Sequence, residues 1–223
     1  MRGKERGNAV MGIKGRDITG FLKRDFLLAF KSSVILALLY LFCIPIIRGV
    51  KNLDSIQSAQ CLEQSVSLIG IILFVPVTRW EHSLGIKELI LSKPWTYAKT
   101  VFIRLLSAFF LVSSMVSGFA FMMWLNHCEF PFWRFVSVVI LLSCFLGISG
   151  LFVSQICQNV VVGYLWALGY FALCKMDVLS EGDTLYLFGL SESVESGGRL
   201  WCFLSLSILF LFSLLLLIRI QKR

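Results

Sequence analysis

The fold is decided by "FVSVVILLSCFLGISGLFVSQICQNVVVGYLWALGYFALC", residues 135–174, a run of 40 residues without Asp, Glu, Lys, Arg or His. A bilayer hydrocarbon core about 30 Å thick needs roughly 20 apolar residues per helix, so the run is long enough for two crossings. Its middle holds Gln155, Gln158 and Asn159, which are polar enough to mark a turn at the membrane surface. The sequence therefore predicts two membrane helices joined by a short polar turn.

Four further uncharged runs extend this pattern along the chain. Residues 105–125 and 200–218 are each long enough to cross a membrane, and 32–47 and 64–78 become long enough with flanking residues. With 57% hydrophobic and 15% charged residues, the 223-residue chain has the balance of a membrane protein. We predict an all-α integral membrane protein with six transmembrane helices within a domain at 32–219: about 32–50, 61–78, 101–125, 134–154, 159–175 and 199–219.

The distribution of Lys and Arg predicts the orientation, because short cytoplasmic loops retain positive charge. With six crossings, one side collects residues 1–31, 79–104 and the tail from Arg219, which hold 16 Lys and Arg against 5 Asp and Glu. The other side holds 5 against 8, and the whole chain has a formal net charge of +8. We therefore expect both termini in the cytoplasm. Four crossings, without the first two, would place the same basic segments inside.

The amino-terminal region divides into two parts. Residues 1–15 are polar and are predicted to be a flexible basic terminus, whereas 16–31 place apolar residues on one helical face and basic residues on the other. That pattern is typical of an interfacial elbow helix along the inner leaflet, and the alternative is a downward extension of the first span. Anionic lipid explains the basic residues, so no nucleic-acid partner is expected. Residues 220–223 form the predicted cytoplasmic tail.

Several features inside the spans allow more than one interpretation. Pro45 and Pro76 fall in the first two spans, where kinks could serve as hinges or as inert packing features. Gly163 and Ala167 form a small-residue face that is weak evidence for a dimer seam. The seven cysteines show no CxxC spacing, so no metal site is expected. Four of them fall near the outer face, where a disulfide is chemically allowed: Cys61, Cys128, Cys174 and Cys202.

The stretch "EHSLGIKELILSKPW", residues 81–95, lies between the second and third spans and is unlike either of them. If residues 81–92 are helical, four residues form a polar stripe with Leu and Ile on both sides: Glu81, Gly85, Glu88 and Ser92. Pro94 then ends the helix, and Trp95 anchors the chain at the interface. A short helix tethered at both ends to membrane helices can be bound by a partner, and the alternative is a solvated loop helix.

The chain resembles the type-2 ABC transporter permeases in a cytoplasmic signature of about 24 residues: Glu81, Gly85, Glu88, Leu89, Ile90, Leu91, Ser92 and Pro94, followed ten positions later by Arg104. The predicted architecture is also similar to that family from residue 16 onward. The chain departs from the family pattern at Arg104, where lysine is commoner, and in its compact last outer loop.

The resemblance implies a permease subunit of an exporter in the cell membrane of a bacterium. Its partners would be the lipid bilayer, a second permease copy or paralogue, and two cytoplasmic ATPase subunits that bind ATP and Mg²⁺. Residues 81–93 would be the coupling helix, and Gln155, Gln158 and Asn159 a smaller second contact. The predicted coupling residues are Glu81, Gly85, Glu88, Leu89, Ser92, Lys93 and Pro94. The chain has no G-x-x-x-x-G-K-[ST] run, so no nucleotide, cofactor or catalytic site is expected in it.

Two alternatives come from other functional classes. A membrane immunity or scaffold protein would work without an ATPase. An intramembrane protease is suggested by the G-x-S-G spacing of residues 147–150, but Ser149 needs a base, and the only histidines, His82 and His127, fall outside the late spans. We therefore expect Ser149 to bond a backbone carbonyl. No charged residue lies deep in a predicted span, which disfavours an ion-coupled transporter.

Overall fold

The computed structural model of the protein describes residues 31–77, 97–176, 185–190 and 197–220. Within these ranges every regular element is helical, as predicted, and no strand is present. A 3₁₀ turn at Val66–Leu68 interrupts the second span. The helices are α1 Lys31–Arg48, α2 Ser55–Gln64, α3 Ile69–Phe74, α4 Tyr97–Leu125, α5 Phe132–Ile156, α6 Val160–Lys175 and α7 Gly197–Ile220.

Five helical segments are long and apolar enough to cross a membrane: Lys31–Arg48, Ser55–Val77, Val101–Leu125, Phe132–Ile156 and Gly198–Leu217. The multi-pass, all-α membrane character is therefore confirmed. Helix α6 has 16 residues and rises about 24 Å, less than a hydrocarbon core about 30 Å thick. The sixth crossing stays a prediction, as does the orientation, and the predicted elbow helix at 16–31 lies largely outside the described residues.

The second span starts earlier and is less regular than the sequence indicated. Its helix begins at Ser55 rather than near residue 61. The sequence prediction placed the start later because α2 carries polar residues, which a search for uncharged apolar runs excludes. The chain then passes through the 3₁₀ turn before α3. The hydroxyl of Ser67 donates a hydrogen bond to the carbonyl of Glu63 across this break. The second span thus contains two short α-helices joined by a 3₁₀ turn.

Helix α5 lies at the centre of the bundle and packs against α3, α4, α6 and α7. All residues from Leu142 to Leu151 are buried, as expected for a helix that is apolar on every side. Helices α1, α6 and α7 instead expose large apolar side chains such as Phe42, Leu165 and Leu209. Those faces are available to lipid.

Glycines bring α3 and α5 into backbone contact. A methyl group added to Gly70 would lie 1.9 Å from the carbonyl oxygen of Ser143, and one added to Gly147 would lie 2.6 Å from the carbonyl oxygen of Gly70. Both distances are far shorter than carbon and oxygen can approach without bonding. Only glycine therefore permits this crossing, as in other close-packed membrane helices.

A second close crossing joins α5 and α6. A methyl group on Gly163 would lie 2.5 Å from the carbonyl oxygen of Gly150, and Ala167 is also buried against this part of α5. Gly163 and Ala167 are the residues of the predicted dimer seam. In the structure these residues pack against α5 of the same chain, and their role in a dimer seam stays a prediction.

Candidate functional site

The described helices form a bundle whose two ends carry different sets of polar residues. The motif end is defined by residues 75–77, Arg104 and residues 154–159, and the loop end by Arg48, residues 63–64, Lys175, residues 185–190 and Arg199. The segment from 78 to 96, which carries the sequence motif, connects two elements of the motif end.

At the motif end, Arg104 joins the first part of α4 to the last turn of the second span. Its side chain is only 7% exposed, and its Nη1 donates to the carbonyl oxygen of Val77 at 3.4 Å. The last carbonyls of a helix lack intrahelical partners, and a cationic side chain is well suited to bind them. Arg104 was the basic residue of the family signature, and the structure places it at the point where segment 78–96 begins.

The turn between α5 and α6 is a compact set of capping interactions. The Asn159 side chain accepts from the Val161 amide at 2.9 Å, which caps α6, and the Asn159 amide donates to the Ser154 carbonyl at 3.1 Å. Gln158 has φ +52, and its side chain donates to the Gln155 carbonyl at 3.3 Å. The predicted tight turn is therefore confirmed. It is held by local interactions that asparagine and glutamine favour.

Only part of the predicted second contact reaches the surface. Gln158 and Asn159 are exposed, whereas Gln155 is 3% exposed and lies within the bundle. A partner that touches this turn would therefore meet Gln158 and Asn159 first, and the predicted contact at Gln155, which is buried, stays a prediction. The sequence could not separate the three, because all are polar and closely spaced.

The parts of the motif end lie on the same side of the bundle. A methyl group added to Gly150 would touch Val75 of the second span at 2.9 Å and Ala167 of α6 at 3.1 Å. The end of the second span thus packs close to the turn that joins α5 and α6. The predicted coupling residues themselves lie outside the described residues: Glu81, Gly85, Glu88, Leu89, Ser92, Lys93 and Pro94.

The two predicted hinge residues lie near helix ends. Pro45 is in the last turn of α1, and its carbonyl accepts from Gly49, whose φ of +68 ends the helix. Pro76 is in a second 3₁₀ turn, residues 75–77, which closes the second span, and it lies one residue before the carbonyl that Arg104 binds. Both prolines therefore lie in the last turn of a helix, where each lacks the amide that would donate to an earlier carbonyl of the same helix. Their role as hinges stays a prediction.

Sequence reasoning missed a buried carboxylate at the loop end. Glu63 is 0% exposed, and its Oε1 accepts from the backbone amide of Leu190 at 2.8 Å. The residues are 127 positions apart, so no local pattern reveals the contact. The only signal was that Glu63 is the last charged residue before an uncharged run. A buried carboxylate needs such donors, because burial without them is costly.

Residues 185–190 form a short segment that packs between helices at the loop end. Tyr186, Leu187 and Phe188 are all buried, and the Tyr170 hydroxyl of α6 donates to the Leu185 carbonyl at 2.5 Å. A methyl group on Gly189 would lie 2.7 Å from Nη1 of the buried Arg199 in α7. The segment is thus held by α2, α6 and α7 together.

The remaining sequence-based predictions concern chemistry within the chain. The hydroxyl of Ser149 donates to the Leu146 carbonyl at 3.1 Å and is buried, which confirms that it bonds a backbone carbonyl. All seven cysteines are free thiols, and among the described residues no group of His, Cys, Asp or Glu is arranged to hold a metal.

No protein-family model, curated protein or solved structure matches the chain significantly.

Proposed function

We propose that the chain is the transmembrane permease subunit of an ATP-driven ABC exporter in a bacterial cell membrane. A second permease copy or paralogue would complete the translocation pathway, and two cytoplasmic ATPase subunits would bind ATP and Mg²⁺. The chain itself would catalyse no reaction. The single observation that carries the proposal is the buried hydrogen bond from Arg104 to Val77, which ties together the two membrane segments that flank the motif.

The hydrogen bond from Arg104 to Val77 would allow the segment between them to transmit force from a partner to both flanking helices. Segment 78–96 leaves the second span directly after Val77 and enters α4 seven residues before Arg104. Because Arg104 is buried, water competes weakly for the Val77 carbonyl. A push on residues 81–93 would therefore move the end of the second span and the start of α4 together.

The next step of transmission is the contact between α3 and α5. The backbones meet at Gly70 and Ser143 without side chains between them, and packed protein interiors have low compressibility. A displacement of α3 would therefore move α5 rather than be absorbed by rotamer changes. In the proposed mechanism, closure of the ATPases on ATP pushes the coupling helix, and the pathway between two permease subunits changes the side on which it is open.

The position of the α5–α6 turn also supports the proposal. Gln158 and Asn159 are exposed at the end of the bundle where segment 78–96 begins. A protein bound to the segment could reach both residues from the same side. In the proposed topology this end faces the cytoplasm, as the excess of Lys and Arg in residues 79–104 favours.

The proposal is tested by charge reversal in the coupling segment. Glu88→Lys should insert normally in the membrane and lose association with the ATPase by roughly tenfold or more, because a cation would replace the carboxylate that is proposed to contact the ATPase. Co-purification in mild detergent, followed by mass spectrometry, measures the association, and export of the substrate measures its consequence. Glu129→Lys is the matched control, since Glu129 is exposed at the loop end.

Each outcome bears on the proposal. Loss of the ATPase with Glu88→Lys and its retention with Glu129→Lys would support coupling through this segment. Wild-type protein that is active with no nucleotide-hydrolysing partner would overturn the proposal and favour the immunity or scaffold alternative. A Glu88→Lys protein that binds the ATPase and exports as well as wild type would also contradict it.

A further inference from the structure

At the loop end, two cationic side chains from different helices meet at one amide oxygen. Gln64 Oε1 accepts from Arg48 Nη2 at 2.9 Å and from Lys175 Nζ at 2.5 Å. Arg48 ends α1, Lys175 ends α6, and Gln64 ends α2. The two cationic nitrogens can therefore be no farther apart than the sum of these distances.

This arrangement concentrates positive charge that a neutral amide cannot balance. Arg48 and Lys175 are both exposed, and among the described residues no carboxylate forms an ion pair with either. The neighbouring carboxylate of Glu63 is buried and accepts from Leu190. Two like charges at this separation repel each other, so an anion bound between them would be stabilised by both.

The surroundings of the two cations are apolar and accessible to lipid. Helix α1 exposes Phe42 and Ile46 within two turns of Arg48, and α6 exposes Leu168 and Leu173 within two turns of Lys175. Both helices flank α2 at this end, because both reach Gln64. Cations at the ends of membrane helices reach headgroup depth, where they can contact the phosphate of a lipid headgroup.

We propose that Arg48 and Lys175, held in place by Gln64, bind the phosphate of an anionic phospholipid, whose acyl chains lie along the apolar faces of α1 and α6. The site is at the opposite end of the bundle from the motif, and it does not depend on the proposed transport function. A lipid bound there would hold α1 against α6 and steady the loop end. The site would recognise a phosphate group, and we assign that phosphate to a membrane lipid rather than to free inorganic phosphate.

The test measures the binding of lipid to purified protein. The protein is placed in nanodiscs or detergent with phosphatidylglycerol or with phosphatidylcholine of the same acyl chains, and retained lipid is counted by native mass spectrometry. Wild type should retain the anionic lipid preferentially. Gln64→Glu should strongly reduce the preference with little structural change, because the new carboxylate forms ion pairs with the two cations, lowers the net charge of the cluster by one and is nearly isosteric with glutamine.

Matched controls separate the site from general electrostatics. Gln60→Glu places the same charge one helical turn earlier on α2, at an exposed position, and should keep the preference. The double variant Arg48→Gln and Lys175→Gln should lose roughly fivefold in affinity for each cation removed. Lys51→Gln with Arg134→Gln removes the same charge from the same end and should keep most of the binding.

The outcomes decide between a lipid site, a free-anion site and no site. A thermal shift with phosphatidylglycerol that inorganic phosphate does not reproduce supports the proposal. An equal shift with inorganic phosphate alone overturns the lipid assignment. Equal retention of both lipids by wild type would mean that other acidic residues already neutralise the cations. Equal losses of lipid in Gln64→Glu and Gln60→Glu would mean that the charge of α2 as a whole, and not the site at Gln64, determines binding. Either result overturns the proposal.

Discussion

The motif end and the loop end are stabilised by different kinds of interaction. At the motif end, capping bonds near Asn159 span a few residues of sequence, and Arg104 reaches a carbonyl 27 positions away. At the loop end, the contacts of Gln64 with Lys175 and of Glu63 with Leu190 join residues 111 and 127 positions apart. One end is organised by local turns and a single cation, and the other by long-range polar contacts around an inserted segment.

This difference indicates a division of roles along the bundle. Polar contacts between distant segments restrict the opening of one end, while an end whose polar contacts are mostly local can change shape without disrupting the whole fold. Since α5 runs between the two ends and packs against four other helices, it links them mechanically. We expect the loop end to be the more rigid of the two, and the following substitutions test that contrast.

The largest effect is expected from Gly70→Ala, which disrupts the close crossing of α3 and α5 between the two ends of the bundle. The added methyl would lie 1.9 Å from the Ser143 carbonyl oxygen, and the backbone must move to relieve it. We expect about 3 kcal/mol of destabilisation, the upper part of the usual range for overpacking. Thermal unfolding in detergent measures it. Gly118→Ala, where the methyl meets nothing within 4 Å, should be neutral or stabilising by up to about 1 kcal/mol.

If Gly70→Ala and Gly118→Ala had the same melting temperature, the close crossing of α3 and α5 would be contradicted. Hydrogen exchange adds a second readout. Amides of both ends should lose protection together in Gly70→Ala, because the crossing supports both.

Glu63→Ala is expected to have the next largest effect, and it should be confined to the loop end. The substitution removes the acceptor of the Leu190 amide, and leaving a buried donor unsatisfied costs about 1–3 kcal/mol. Hydrogen exchange should show lost protection at Leu190 while the Val161 amide, at the motif end, is unchanged. Glu129→Ala, an exposed residue at the loop end, is the control. Equal loss at both amides would contradict the separation of the ends.

Arg104→Met should affect function more than stability. It removes one donor to the Val77 carbonyl, and we expect a loss of stability of about 1–2 kcal/mol. The stimulation of transport by ATP should fall by a larger factor, because the two segments that flank the motif would no longer move together. Arg104→Lys should retain part of the activity, since it keeps a cation. Unchanged transport in Arg104→Met would remove the main support for the proposed coupling.

The smallest effect is expected from Asn159→Ala at the motif end. The substitution removes the side-chain cap of α6, which typically contributes about 1 kcal/mol. Thermal unfolding should show this small loss, and Asn159→Asp should restore the stability, because aspartate accepts the same hydrogen bond from Val161. Destabilisation by Asn159→Asp as large as by Asn159→Ala would show that the cap is not the cause.

The same contrast explains what the sequence could and could not predict. The turn at Gln158 and Asn159 was predictable, because two polar residues in a long uncharged run have few other places to lie. The start of the second span at Ser55 was missed, since its first turns are polar. The burial of Glu63 was invisible, because its partner is distant in sequence. Small residues such as Gly163 predict a close contact but not whether the neighbour belongs to the same chain.

The most direct test of the central claim is the location of the two ends across the membrane. Cys157 is exposed in the motif-end turn, and Glu129→Cys would place a thiol in an exposed position at the loop end. Each is kept as the single cysteine and treated with a membrane-impermeant maleimide on intact cells. The proposed topology predicts labelling of Glu129→Cys in intact cells and of Cys157 only after the membrane is opened. Labelling of Cys157 from outside would contradict the account, because an ATPase in the cytoplasm could not reach the motif.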